Sequence, residues 1–265
     1  MLIRILNQFS GAADTLCFSN CFELLSQRIF FRRNPITVYE WKKRFHLVCD
    51  RRHLDAGSPK EVLARGVYNQ AILKSFGFHG FHYVNVGANV GAFDIAVSAL
   101  IRSVSSGLLF ELNPETSARL HFNLAINGLR HLDVFTHGVG GEARVIDIPE
   151  TGCAHSFGLY NASGFPGRRT LRCRVETMET SLALHPSPPE EWDLLKLDCE
   201  GAEFEIIRMS SRHTLRRFRN IVMELHPPPQ GEDASSLLAK LAESGFVETP
   251  IVSNRNGIRF FQRTE

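Results

Sequence analysis

Residues 84-VNVGANVG-91 join the end of an apolar strand, 81-FHYVNV-86, to the start of a helix, 91-GAFDIAVSALIRS-103. Gly87 and Gly91 permit a sharp turn and a close approach of backbone to a ligand. The free N–H groups at the helix start form a polar cradle. A glycine pair at such a turn also serves simply to pack a helix on a sheet. Its meaning therefore depends on what surrounds it.

Downstream, short apolar strands alternate with helices. A second strand, 107-GLLFEL-112, leads into Asn113-Pro114-Glu115, where Asn113 is the expected helix cap and Pro114 fills the first turn. That helix is expected to stop near Asn127-Gly128. Further strands are expected at 132-LDVFTH-137, 143-ARVIDI-148, 169-RTLRCRV-175, 192-WDLLKL-197, 220-NIVMEL-225, 246-FVETPIV-252 and 258-IRFFQR-263. Helices are expected over 203-EFEIIRM-209 and 233-DASSLLAKLAES-244. The alternation implies an α/β fold, a doubly wound and mostly parallel sheet with helices on both faces. Ligands of such sheets bind beyond the C-terminal ends of the strands. Residues 151-TGCAHSFGLYNASGFPG-167 read as a long loop of the kind that often carries function.

Upstream, residues 1–75 read as an N-terminal, mainly helical extension with charge clusters at 42-KKR-44 and 50-DRRH-53. One of its helices is expected over 61–76, with Ser58 as cap, Pro59 in the first turn and Gly66 as a weak point. The division is thus 1–75, a lid or homo-oligomer contact, and 76–265, the ligand-binding domain. A length of 265 residues suits one α/β domain with an added segment. The formal charge of +2 is too mild to announce a nucleic-acid binder. No apolar run approaches the roughly 18 residues needed to span a bilayer. The start, MLIRILNQFSGAADTLCFSN, lacks the basic-then-apolar pattern of a secretory signal. The six cysteines form no CxxC pair and match neither a zinc site nor a disulfide scaffold. A reducing compartment, the cytoplasm, is expected.

The chemistry gathers at strand ends. Glu111 ends the second strand, some two dozen residues after Gly87, where an acid can accept both hydroxyls of a ribose. A dinucleotide fingerprint asks for GxGxxG, but position 89 is Asn, so an NAD-dependent oxidoreductase is disfavoured. A cofactor without phosphates does not need that cradle. In 196-KLDCEGAEFEII-207, Asp198 and Glu200 follow an apolar strand, Gly201 turns, and Glu203 opens a helix. Capping accounts for part of this acidity. In 224-ELH-226, Glu224 and His226 share a face of an extended chain, and an imidazole suits general-base work.

With these residues together, the chain resembles the FkbM family of class I methyltransferases. The resemblance rests on 85-NVGANVG-91, on Glu111-Leu112-Asn113-Pro114, on 196-KLDCEGAE-203 and on Glu224 to His226, and it covers roughly residues 65–262. It implies a Rossmann-like seven-stranded sheet and S-adenosyl-L-methionine as cofactor. It implies that Asn85, Gly87, Ala88, Asn89 and Gly91 hold the methionine side. Glu111 would then lie at the ribose, Asn113 and Asp198 would also contact the cofactor, and Asp198 and Glu200 would face the reaction centre. Glu142, Ala143 and 155-HSFG-158 would line the adenine or acceptor site. Asn85 stands where the family usually has Asp, which removes a charge expected near the cofactor's ammonium group.

The resulting expectation is methyl transfer to a hydroxyl of a sugar, glycolipid or secondary metabolite, with Asp198, His226 and Glu200 as catalytic candidates. Clustered carboxylates at Asp198, Glu200 and Glu224 suit a divalent cation, but capping and cofactor contacts account for the same acids without one, and the metal-free reading is preferred. Two rivals stand beside it. An RNA methyltransferase is motivated by the basic run Arg212, His213, Arg216, Arg217 and Arg219, although a charge run usually marks a solvated face. A catalytically silent binding partner is motivated by Asn85.

Overall fold

The computed structural model describes residues 13–264 apart from 32, 54, 78–79, 151–168 and 253–256. The expected long loop 151–167 and the stretch 155-HSFG-158 lie outside the described residues. A seven-stranded sheet forms the centre. Its strands are β3 (Phe81–Val86), β4 (Val104–Phe110), β5 (Leu132–Phe135), β9 (Trp192–Leu197), β10 (Phe218–Glu224), β11 (Phe246–Glu248) and β12 (Ile258–Arg263). They lie in the order β11-β12-β10-β9-β3-β4-β5. All neighbours are parallel except β12, which is antiparallel to both β10 and β11. The chain runs outward from β3 to β5, then returns to lay β9 against the other side of β3. This reversal opens a crevice at the carboxyl ends of β3 and β9.

The helices α3 (Ala92–Leu100), α4 (Pro114–Ile126), α6 (Ala202–Met209) and α8 (Ala234–Glu243) cover the sheet, and two buried clusters lie on its opposite faces. Alternation along β3 sends Tyr83 to one cluster and Val84 and Val86 to the other. Asn113 caps α4 as expected, its side chain accepting from the N–H groups of Glu115 and Thr116. The segments read as extra strands become β7 (Arg144–Pro149) and β8 (Thr170–Thr177), paired antiparallel, with β6 (Gly138–Gly140) parallel to β8 on its other edge. The short helices α5 (Met178–Leu182) and α7 (Arg212–Leu215) follow β8 and α6.

The N-terminal segment carries helices, α1 (Cys21–Phe30) and α2 (Asn69–Lys74), and also an unexpected antiparallel hairpin, β1 (Ile36–Trp41) with β2 (Phe45–Asp50). The helix expected over 61–76 breaks at Gly66, where φ is +64°, into a π-helical turn, Pro59–Ala64, and α2. Ser58 does not cap it with its side chain. The hairpin docks on α4 through two asparagines. Asn123 exchanges hydrogen bonds with the backbone N–H and C=O of Val48 at 2.8 and 3.0 Å, and Asn127 does the same with His46 at 2.8 and 2.6 Å. Four helical residues advance about 6 Å and two strand residues about 6.6 Å, so the two amides imitate a neighbouring strand. Leu47, Tyr68 and Ile72 then share one buried cluster with Phe93, Leu120 and Leu124.

Candidate active site

Two turns interlock at the crevice. Gly87 has φ of +75°, and a Cβ there would lie 1.9 Å from the carbonyl oxygen of Asp198. The glycine is therefore demanded by the touching backbones of the β3 and β9 turns. Asn89 follows in the left-handed region at φ +51°. Glu111 fastens this turn: one oxygen accepts from the N–H of Asn89 and the other from the N–H of Asn113, both at 2.9 Å. Burial pushes its carboxyl up, and those two N–H groups act against the rise. Each oxygen retains a second acceptor position.

Lys196, buried at the end of β9, ties the turns together. Its ammonium donates to Gly87 O at 2.8 Å and lies 3.4 Å from Asp198 Oδ2. It also sits 5.9 Å from the centres of the Tyr68 and Phe93 rings. Tyr68, which the sequence reading passed over, donates its hydroxyl proton to Asp198 Oδ2 at 3.0 Å. Glu200 takes φ of +54°, an uncommon conformation for a non-glycine residue, before Gly201 starts α6.

His226 follows β10 and faces four carboxylates. Its Nδ1 is 3.1 Å from Glu203 Oε1, and its Nε2 lies 3.7 Å from Glu200 and 3.9 Å from both Asp198 and Glu224. Burial alone disfavours the charged ring, but Glu203, Asp198 and Glu200 outweigh it and raise the pKa to about 9. That shift favours the imidazolium at neutral pH, whereas the general-base role expected of His226 needs the neutral ring. Glu203 is buried and structural: it accepts from the N–H groups of Gly201 and His226, both at 2.9 Å, binding the β9 turn to the end of β10.

One pocket gathers Gly87, Ala88, Asn89, Glu111, Asp198 and Glu200 of the expected set. Gly91, Asn113 and His226 are not in its lining. Asn85 is turned away: it is buried, and its amide donates to both oxygens of Asp94 at 3.0 and 3.1 Å. It is not in the pocket's lining, where the resemblance implied a place beside the methionine group. Glu142 and Ala143 are not in the lining either; Gly138 and Val139 are, beside Phe110 and Leu112. The N-terminal segment supplies a whole wall, Ser58, Glu61, Val62, Val67 and Tyr68, part of it from the π-helical turn. Such turns recur at functional sites. No spacing in the sequence singles out Tyr68; the pairing appears only when α2 packs on α3.

A family model described as the methyltransferase FkbM domain matches residues 85–248. No curated protein matches the chain. Among solved structures, an FkbM methyltransferase from Methylobacillus flagellatus KT aligns at 12% identity and a TM-score of 0.46, over 71% of this chain and 44% of that one. The N-terminal domain of human METTL16 in complex with SAH aligns at 13% identity and 0.42, over 76% and 68%. A precorrin-6y C5,15-methyltransferase from Geobacter metallireducens GS-15 aligns at 12% and 0.40, over 74% and 86%.

Proposed function

The chain belongs to the methyltransferase FkbM domain family and is an S-adenosylmethionine-dependent methyltransferase; from that premise we propose that it methylates a hydroxyl oxygen of a sugar, glycolipid or secondary metabolite. The observation that carries the reading is the cradle itself, a glycine turn clamped by Glu111 and set beside Asp198. Gly87 lets the β3 turn pack directly against the backbone of Asp198, and Glu111 keeps an acceptor position on each oxygen for a ribose hydroxyl. Phe110, Leu112 and Val139 offer apolar walls for an adenine.

When bound, S-adenosylmethionine supplies a methyl group already activated on sulfonium, so the protein's own work is to position reactants and move a proton. Tyr68 and Lys196 hold Asp198 Oδ2. Asp198 Oδ1 is the atom assigned to take the proton of the acceptor hydroxyl. His226, ringed by Glu203, Glu200, Asp198 and Glu224, holds the carboxylate cluster in place.

Donor atoms of Asp198, Glu224 and His226 lie within 4.8 Å of one another. The RNA alternative draws little support from its basic run. Arg219 pairs with Glu191 at 2.8 Å, and Arg216 and Arg217 donate to the carbonyls of Ser244 and Pro189. Transfer of labelled methyl to a panel of glycans and hydroxylated metabolites tests the proposal. Asp198→Asn is expected to abolish turnover and leave calorimetric affinity for S-adenosylmethionine nearly intact, while Glu111→Ala weakens that affinity. Near-normal turnover by Asp198→Asn would remove the residue from its role.

A further inference from the structure

The exposed apolar side chains of the N-terminal segment concentrate on one helix and its exit. Phe22 is 84% exposed, Phe30 75%, Phe31 60% and Ile29 58%. Phe22 and Ile29 are seven residues apart and share one stripe of α1, while Leu24 on the opposite side is buried. Apolar patches of this kind mark interaction surfaces. Exposed cations lie on the same segment. Arg28 lies on α1 and Arg33 just beyond it, and Lys42, Lys43 and Arg44 occupy the β1–β2 turn, all exposed. That turn is held at the start of α1, where the N–H of Lys43 donates to Ser19 Oγ at 2.9 Å. Residues 1–75 carry twelve Lys and Arg against six Asp and Glu, whereas the rest of the chain carries eighteen against twenty-two.

We propose that this face docks on an anionic lipid surface. The side chains of Phe22, Ile29, Phe30 and Phe31 enter the boundary between headgroups and acyl chains, and Arg28, Arg33, Lys42 and Lys43 meet the lipid phosphates. Among the described residues no helix is long and apolar enough to cross a membrane, so the attachment is peripheral. A second copy of the chain fits less well, because a two-fold contact would set these cations against themselves. A single-stranded RNA would take the cations and stack on the phenylalanines but has no use for Ile29, so it is the rival that the test below must exclude. The proposal does not depend on which acceptor is methylated.

Sedimentation of the full chain with vesicles tests it. Binding is expected to mixed phosphatidylcholine–phosphatidylglycerol vesicles and not to phosphatidylcholine alone, and it should fall as salt is raised. The triple variant Phe22→Ser, Phe30→Ser, Phe31→Ser should weaken binding by about tenfold or more. The pair Lys42→Asn, Lys43→Asn should weaken it by a similar ~tenfold factor. Both lysines have φ of +53°, which asparagine tolerates, so this second variant keeps the turn and decides the matter if the triple variant fails to fold. Unchanged Tm and cofactor affinity identify a docking effect. Failure to bind the mixed vesicles overturns the proposal. So does a solution dimer dissolved by the same substitutions without any vesicle binding. Affinity for polyuridylate that is lost with the lysines, again without vesicle binding, overturns it too.

Discussion

Asn85 stands where the family signature carries an acid because an acid already faces it. Asp94 is buried on α3 and accepts from Asn85 and from the Tyr83 hydroxyl at 3.0 Å. Burial raises its pKa to about 6, with those hydrogen bonds opposing the rise. Asn85→Asp would press two buried carboxylates together, and about 3 kcal/mol of stability should be lost in urea unfolding. The pair Asn85→Asp with Asp94→Asn restores the donor and should recover most of it. The inactive-partner reading loses its motive here, since the exchange takes place in the core and not at the ligand. Tyr68 makes the complementary case. Tyr68→Phe removes one hydrogen bond to Asp198, so kcat should fall about tenfold, with KM for the cofactor little changed and a displaced acid limb in the rate–pH profile. A purely structural ring would leave that limb where it is. Glu111 and Asp198 were legible because strand ends and glycine turns announce themselves. Tyr68 was not, because its partner is far away in the chain and its own neighbourhood shows only a short helix.

At the scale of elements, the two glycines of the first turn differ in what opposes them. A Cβ on Gly87 meets the Asp198 backbone, whereas on Gly91 it meets the Leu120 Cδ1 atom at 2.9 Å, the end of a movable side chain. Gly87→Ala should therefore lower Tm and abolish cofactor binding, and Gly91→Ala should do less in the same two measurements. The strands of the central sheet could be read from their apolar runs, and the cap of α4 from Asn-Pro. The hairpin was missed even though Thr37, Tyr39 and Trp41 alternate inward along β1, with Phe45, Leu47 and Cys49 doing so along β2. The obstacle was its turn: Lys42 and Lys43 both take positive φ without the glycine or asparagine that usually signals one. Asn123 and Asn127 looked like ordinary polar positions and a helix stop, because a helix that imitates a strand leaves no periodic mark.

For the whole molecule, ionisation sets a slope of stability against pH. His226 has a folded pKa of about 9 against an ordinary 6.5. Its contribution is complete below pH 6.5 and disappears as pH rises through about 9, roughly 3 kcal/mol in all. Asp94, raised from 3.8 to about 6, adds a loss of the same sign at lower pH. The Tm gap between wild type and His226→Gln should accordingly narrow between pH 6.5 and 9; a gap that stays constant would contradict the imidazolium. The domain division expected from the sequence is crossed by one continuous core, and the family match begins at residue 85, after the pocket wall of residues 58–68. The hairpin ahead of that wall is attached to α4 through Asn123 and, at its C-cap, Asn127, by paired amide contacts with β2. The asparagine pair therefore works as a key for interchange: a front segment from another enzyme will seat, and bring its own substrate preference with it, only on a helix that carries matching amides one turn apart.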